Sequence, residues 1–249
     1  MITLFESETH KNVMFNDLTS GAMVQANQHV ILNGQEGIVL DPGGHKVFSK
    51  LISEIPSVIP NNGLKYIFFS HQDPDIIAAA NGWLMVTEAQ AYLSQLWMGY
   101  ILHFGVDELV ADRINPIPDE GMTLRLDGEP LKIIAAHFLH SPGNFQVYDT
   151  VSKILYSGDI GSSFGNDYDM VQDFDAHIQY IEEFHERYIT STKALKMWVE
   201  MARTIDIDII APQHGAIFPN NEMADRFIDW ADNLTCGIDL MEDAFVVPD

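Results

Sequence analysis

At 249 residues, with 47% hydrophobic and 20% charged side chains, the chain has a globular composition and ample material for a core. Thirteen Lys and Arg stand against 36 Asp and Glu, a formal net charge of −23, which repels phosphate backbones and anionic lipid and so argues against nucleic acid and membrane as partners. A single cysteine, Cys236, rules out an internal disulfide framework and any cluster built on several thiolates.

The N-terminal segment MITLFESETHKNVMF has neither the basic region nor the continuous apolar stretch of a secretory signal. No apolar run is long enough to span a bilayer, so a cytoplasmic location is expected. Short β-rich runs come first: ITLFES, NVMF, MVQANQHVIL and GIVLDP, parted by polar or Asn-Gly turns. HKVFSKLISEIP then spaces its apolar residues by three and four, predicting an amphipathic helix. LKYIFFS (64–70) reads as a strand buried on both faces and leads into His71. A helix over 75–85, a strand over 88–94 and a helix over 95–105 follow. Strands are then predicted in INPIP, MTLRLDG, LKIIAAHFLH, FQVYDT and KILYSGD. Residues 173–202 read as mostly helical, DIDIIAP as a buried strand and NEMADRFIDWADNL as a final helix. Helices alternating with strands at both ends of a β-rich middle predict an α/β chain with two sheets and helices outside, a four-layer αββα sandwich forming one domain over 1–249.

His71, Asp73 and Asp75 occupy alternate positions after the strand 64–70. Alone, such a string reads equally well as a polar turn, with Asp75 as the N-cap of the next helix. Three further residues strengthen a metal-site reading. His140 ends LKIIAAHFLH, Asp159 ends KILYSGD and His214 follows DIDIIAP, each before a loop bearing Gly or Pro. Strand ends on one edge of a sheet converge in space, and such edge loops are where sites are built.

The order H-x-[ED]-x-D, then H, D and H, with NQHVILNGQEGIVLDPGG upstream and APQHG downstream, resembles the metallo-β-lactamase fold. More narrowly it resembles the diiron domain of flavodiiron proteins and their flavin-less relatives, the oxygen-binding diiron proteins of chemosensory systems. That resemblance implies two iron ions bridged by an oxo, hydroxo or peroxo group. His71, Asp73 and His140 would hold one, Asp75 and His214 the other, and Asp159 would bridge them. It also implies O2 as ligand, with NO as an alternative, a homodimer, and a chemoreceptor or histidine kinase as signalling partner. Zinc hydrolases of this fold place histidines where this chain has Asp73 and Ile76. Carboxylate in place of imidazole hardens the site toward iron or manganese. Isoleucine cannot ligate, which would leave a coordination position open beside an apolar neighbour.

Two departures matter. Flavodiiron proteins usually carry glutamate at the position of Asp73, one methylene longer. They also continue into a flavodoxin-like domain, of which no phosphate loop is legible after residue 215. Slow electron supply suits an oxygen sensor or carrier. The alternatives are an O2 or NO reductase fed by a separate flavoprotein or rubredoxin and, less favoured, a metal-dependent hydrolase. Whether the chain is an enzyme stays open. Of the remaining histidines, His10, His29, His45 and His103 read as surface or satisfied core residues on turns or helix faces, His137 as structural on the sheet face opposite His140, and His177 and His185, on one helical face, as solvated or as supports behind the metal ligands. Asp41 with Gly43 and Gly44 reads as a turn near the site, and Trp83, Met85, Trp97 and Met98 as apolar core.

Overall fold

The computed structural model describes residues 1–248 apart from 61 and 242. Strands β1 (Ile2–Glu6), β2 (His10–Phe15), β3 (Gln28–Asn33), β4 (Glu36–Leu40), β5 (Leu64–Phe68), β6 (Gln90–Ser94) and β7 (Ile114–Ile117) lie side by side in chain order in a seven-stranded sheet. The first four are antiparallel neighbours joined by short turns. From β4 to β7 the pairing is parallel, and parallel neighbours need crossovers. Those crossovers supply helices α1 (His45–Glu54), α2 (Pro74–Ile77) and α3 (Ala80–Val86).

The second sheet orders its five strands β12-β11-β10-β9-β8, with β8 Met122–Leu126, β9 Glu129–Ala135, β10 Phe145–Asp149, β11 Ile154–Gly158 and β12 Ile209–Pro212. Helices α4 (Phe174–Tyr188) and α5 (Thr192–Ala202) form the crossover between the parallel pair β11 and β12. Helix α6 (Asn221–Asn233) closes the layer, its N-cap Asn220 accepting a hydrogen bond from the Met223 N–H.

Side-chain alternation explains the layering. In β4 and β5, Val39 and Ile67 join a core under α1 and α3, while Ile38, Leu40 and Phe68 join a second core between the sheets. In β10 and β11, Val147, Ile154 and Tyr156 face that shared core. Tyr148 and Leu155 face a third core beneath α4, α5 and α6. Three cores separate four layers, so the expected αββα order is present. A strand buried on both faces reads as a continuous apolar run, which is why 64–70 was legible.

Several predicted boundaries move. The strand expected over 131–140 ends at Ala135. There the Asn144 side-chain amide donates to the Ala136 and Leu139 carbonyls at 3.2 and 2.8 Å and pulls the chain out of the sheet. His137 and His140 therefore share a loop, not opposite faces of a strand. The helix expected over 95–105 is a 3-10 turn over Gln95–Tyr100 followed by turns. The helical stretch 173–202 breaks at residues 189–191, where Ser191 caps α5 by accepting from Ala194. The helix at 75–85 is likewise two pieces, α2 and α3.

His10 and His29 lie on strands β2 and β3, not on turns or helix faces, and both are buried. His10 Nε2 meets Asp149 Oδ2 at 2.6 Å, tying the first sheet to the second. Asn12 and Ser152 donate to the same oxygen at 2.8 and 2.6 Å. His177 and His185 are also fully buried rather than solvated. The His185 Nδ1–H donates to the Ile181 carbonyl at 2.6 Å while Nε2 accepts from the Gly161 N–H at 2.9 Å, so the ring is neutral and fully used.

Burial pushes His29, His177 and His185 down to about 4 from an ordinary 6.5. Between those values the unfolded chain binds protons that the folded one does not. Their contribution to stability is complete above about pH 6.5 and is lost as the pH falls toward 4. Urea unfolding of the metal-free chain should show a lower midpoint at pH 5 than at pH 7.5. H185Q should narrow that gap, because an amide can donate and accept without titrating. An unchanged gap would assign the acid sensitivity to other groups.

Candidate metal centre

His71 follows β5 after Phe69 and Ser70. Its orientation is set from behind: the Ser70 N–H donates to Asp41 Oδ1 at 2.7 Å, and Ser70 Oγ lies 2.9 Å from His71 Nδ1. Nδ1–H donating to that hydroxyl leaves the Nε2 lone pair turned into the site. Asp41 is thus a support and not a ligand, and burial pushes its carboxyl up to about 6. Asp73 occupies the N-cap position of α2, Pro74 is the first helical residue and Asp75 lies in the first turn. The capping alternative fails, since no side chain makes a cap hydrogen bond there. Both carboxylates instead line the pocket.

His140 comes from the loop 136–144, where the Thr190 hydroxyl donates to its carbonyl at 3.4 Å. Asp159 lies just past β11, and its loop is anchored by the Gly161 bond to His185. His214 follows β12, and its Nδ1–H donates to the Gln25 carbonyl at 2.6 Å, again leaving Nε2 free. The Gln25 side-chain oxygen accepts from Gly215 N–H at 2.7 Å. Gly215 has φ +75°, and a Cβ there would lie 2.3 Å from the Ser163 carbonyl, so only glycine fits beside His214.

All six predicted residues converge, and they do so as two groups sharing one carboxylate. His140 Nε2 lies 2.7 Å from Asp159 Oδ2 and 3.4 Å from Asp73 Oδ2, with His71 Nε2 at 3.5 and 3.7 Å from the same two oxygens. On the other side, His214 Nε2 lies 3.4 Å from Asp75 Oδ2 and 3.6 Å from Asp159 Oδ1. Ligands at right angles on bonds of about 2.1 Å lie roughly 3 Å apart, close to these separations. Asp159 Oδ1 is buried and has no hydrogen-bond partner among the described residues, as expected of an atom reserved for a cation. The donor set therefore fits two metal ions.

The electrostatics agree. Burial raises the Asp159 carboxyl, but His71, His140 and His214 more than offset it and hold it down to about 2. His140 and His71 hold Asp73 well below the usual carboxylate range. Burial lowers His140, but its bonds to Asp159 and Asp73 dominate and raise it to about 10. In the metal-free chain His140 thus keeps a proton that an incoming metal must displace.

The pocket above these residues encloses about 910 Å³. Tyr188 meets His140 edge-on at 6.1 Å, and Phe164 packs against His214 at 5.4 Å. Phe184, stacked on Tyr188 at 4.8 Å, joins the two. Ile76 does not face the second metal position. It is sealed in the core under α1 and α3 with Trp83, and the apolar neighbours on the pocket side are Met23, Val24 and Phe164. His185 takes the supporting role behind the ligands that was one of its two sequence readings, whereas Gln25 and Ser70 were not singled out. Each acts through a backbone group or a hydroxyl, which leaves no spacing signal.

Residues 24–215 match the model of the ODP family beta lactamase. The chain belongs to this family. Over 98% of its length it is 40% identical to the whole chain of a structure described as a peroxy diiron species of the chemotaxis sensor ODP, with a TM-score of 0.88. The apo state of the chemotaxis sensor ODP from T. denticola matches at 39% identity over 98% of both chains, with a TM-score of 0.87. Flavo-diiron protein FprA2 of Clostridium acetobutylicum is 24% identical over 199 residues, which are 75% of this chain and 48% of that protein. The chain spans about half the length of this curated relative. The ODP family match covers all six predicted site residues and confirms the metallo-β-lactamase-like fold.

Proposed function

We infer that this chain is a non-haem diiron protein that binds O2 at the dinuclear site and acts as an oxygen sensor. The observation that carries the reading is Asp159, whose two oxygens each face a separate His–Asp group. On this reading His71, Asp73 and His140 hold one iron, Asp75 and His214 hold the other, and Asp159 bridges them. Two ferrous ions bound here would supply two electrons and an open coordination position for O2. The chain's own residues do the rest. Ser70 and the Gln25 carbonyl fix the tautomers of His71 and His214, and the carboxylate-rich donor set favours iron over zinc. Met23, Val24 and Phe164 give the pocket an apolar side next to Asp75 and His214.

The kinship with a chemotaxis sensor supports the further proposal that the chain works in the cytoplasm, as a homodimer, with a chemoreceptor or histidine kinase as partner. Among the described residues no helix is long and apolar enough to cross a membrane. All of 1–249 would act as one unit. Anaerobic reconstitution with ferrous iron should give about two ions per chain, and exposure to O2 should develop a visible absorption band that persists without added reductant. A colourless, zinc-loaded product would sink the diiron reading. Rapid O2 consumption with a flavoprotein or rubredoxin donor would move the function to a reductase.

A further inference from the structure

The loop that carries His140 has a second face. Behind it, away from the metal centre, Ala136, Phe138 and Leu139 form one wall of an open groove of about 580 Å³, and Ala194, Met197 and Trp198 of α5 form the other. The lining is apolar, yet the groove is open, and Met197 is 62% exposed. Lys193 stands at the groove and makes no ion pair among the described residues.

The C-terminal segment has the complementary character. Phe245 and Val247 are 81% and 92% exposed, and Val246 between them is also open to solvent. The tail sequence around them carries Glu242, Asp243 and Asp249. Its root is fixed at the lip of the groove. The Ile238 N–H donates to the Thr190 carbonyl, and the Thr192 N–H donates to Asp239 Oδ2 at 2.8 Å. From that root the chain's own tail runs into solvent and leaves its own groove open.

We propose that this groove receives the Phe245–Val247 segment of a second copy of the chain, reciprocally, with Lys193 facing the acidic flanks of the tail. One copy's tail and groove are left without partners, and a two-fold axis satisfies both at once. The proposal deepens the homodimer suggested above by naming its surface, and it is independent of the metal. The groove wall runs directly into His140, and Thr190 donates to both Phe138 O and His140 O, so the occupied groove borders the sensing site.

Sedimentation of the full chain should show a dimer whose Kd rises about tenfold or more in F245D and, separately, in M197D. Both side chains are exposed in one copy, so neither change should harm folding. Mixing F245D with M197D should restore partial dimerisation through the one intact tail–groove contact. Chains bearing V247C mixed with chains bearing A194C should form a disulfide-linked pair, while buried Cys236 stays unreactive. A monomeric native chain, or a dimer indifferent to both charge substitutions, would overturn the proposal; the second result would leave the homodimer intact on another face. Disulfide formation only within a V247C/A194C double-variant chain would place the tail in its own groove, and a link only between two V247C tails would place it against its twin. Either result overturns it.

Discussion

The Asp159→Ala chain is expected to retain essentially no iron after anaerobic reconstitution, against roughly two ions per chain for the native protein, because one carboxylate completes both positions. Its Oδ2 faces His140 and His71, and its Oδ1 faces His214 with no other partner. Losing either of the outer groups should be milder. Asp75→Ala removes a side chain that serves one position only, so about one iron should remain, held by His71, Asp73, His140 and Asp159. Metal content by plasma emission, read beside a circular dichroism spectrum, checks both. The metal-free Asp159→Ala chain loses the 2.7 Å partner of His140 and should be less stable than the native apo form, so the spectrum establishes that it is folded before its metal content is read. Two irons bound to a folded Asp159→Ala chain would end the bridging assignment.

Breaking the link between His10 and Asp149 should produce the largest change in stability. The two side chains are sealed from solvent and meet at 2.6 Å between sheets. Removing one partner of a buried pair leaves the other uncompensated and costs about 3–5 kcal/mol. For a chain of this size that corresponds to a fall in Tm on the order of 10 °C for Asp149→Ala or His10→Ala.

The pH dependence has a definite sign. Burial lowers His10, but its bond to Asp149 outweighs it, and the folded value lies above 6.5. Its contribution is complete below about pH 6.5 and is lost as the pH rises through the folded value. Burial raises Asp149, but His10, Ser152 and Asn12 bring it below 3.8, so its share is present above about pH 3.8 and lost in stronger acid. The stability gap between native and His10→Ala chains should therefore be wider at pH 6 than at pH 9. A gap that widens in alkali would mean that His10 is buried neutral.

The sequence alone pointed to two sheets with helices outside and to metal-capable side chains at strand ends, and its family resemblance completed the set of six candidate ligands. Buried strands appear as short apolar runs, and the residue closing each run must lie at a sheet edge, so His71, Asp159 and His214 could be placed by pattern. Asp73 where the zinc hydrolases that the chain resembles carry histidine implied a harder donor set. Tertiary structure decided the rest. Leu139 looked like the continuation of β9, but Asn144 draws the carbonyls of 136 and 139 away from the sheet, and that bond joins residues whose pairing only the fold creates. Ile76 cannot ligate, as its place after Asp75 already implied, yet the turn of α2 sends it into the core, so the apolar side chains beside the second position are Met23, Val24 and Phe164. His10 read as a surface or satisfied core residue on a turn, and only β2 laid across β10 shows it to be a buried strand residue and names Asp149 as its partner. In each case a one-dimensional pattern records the period of an element, while the partner of a polar group is chosen by packing between elements distant in sequence.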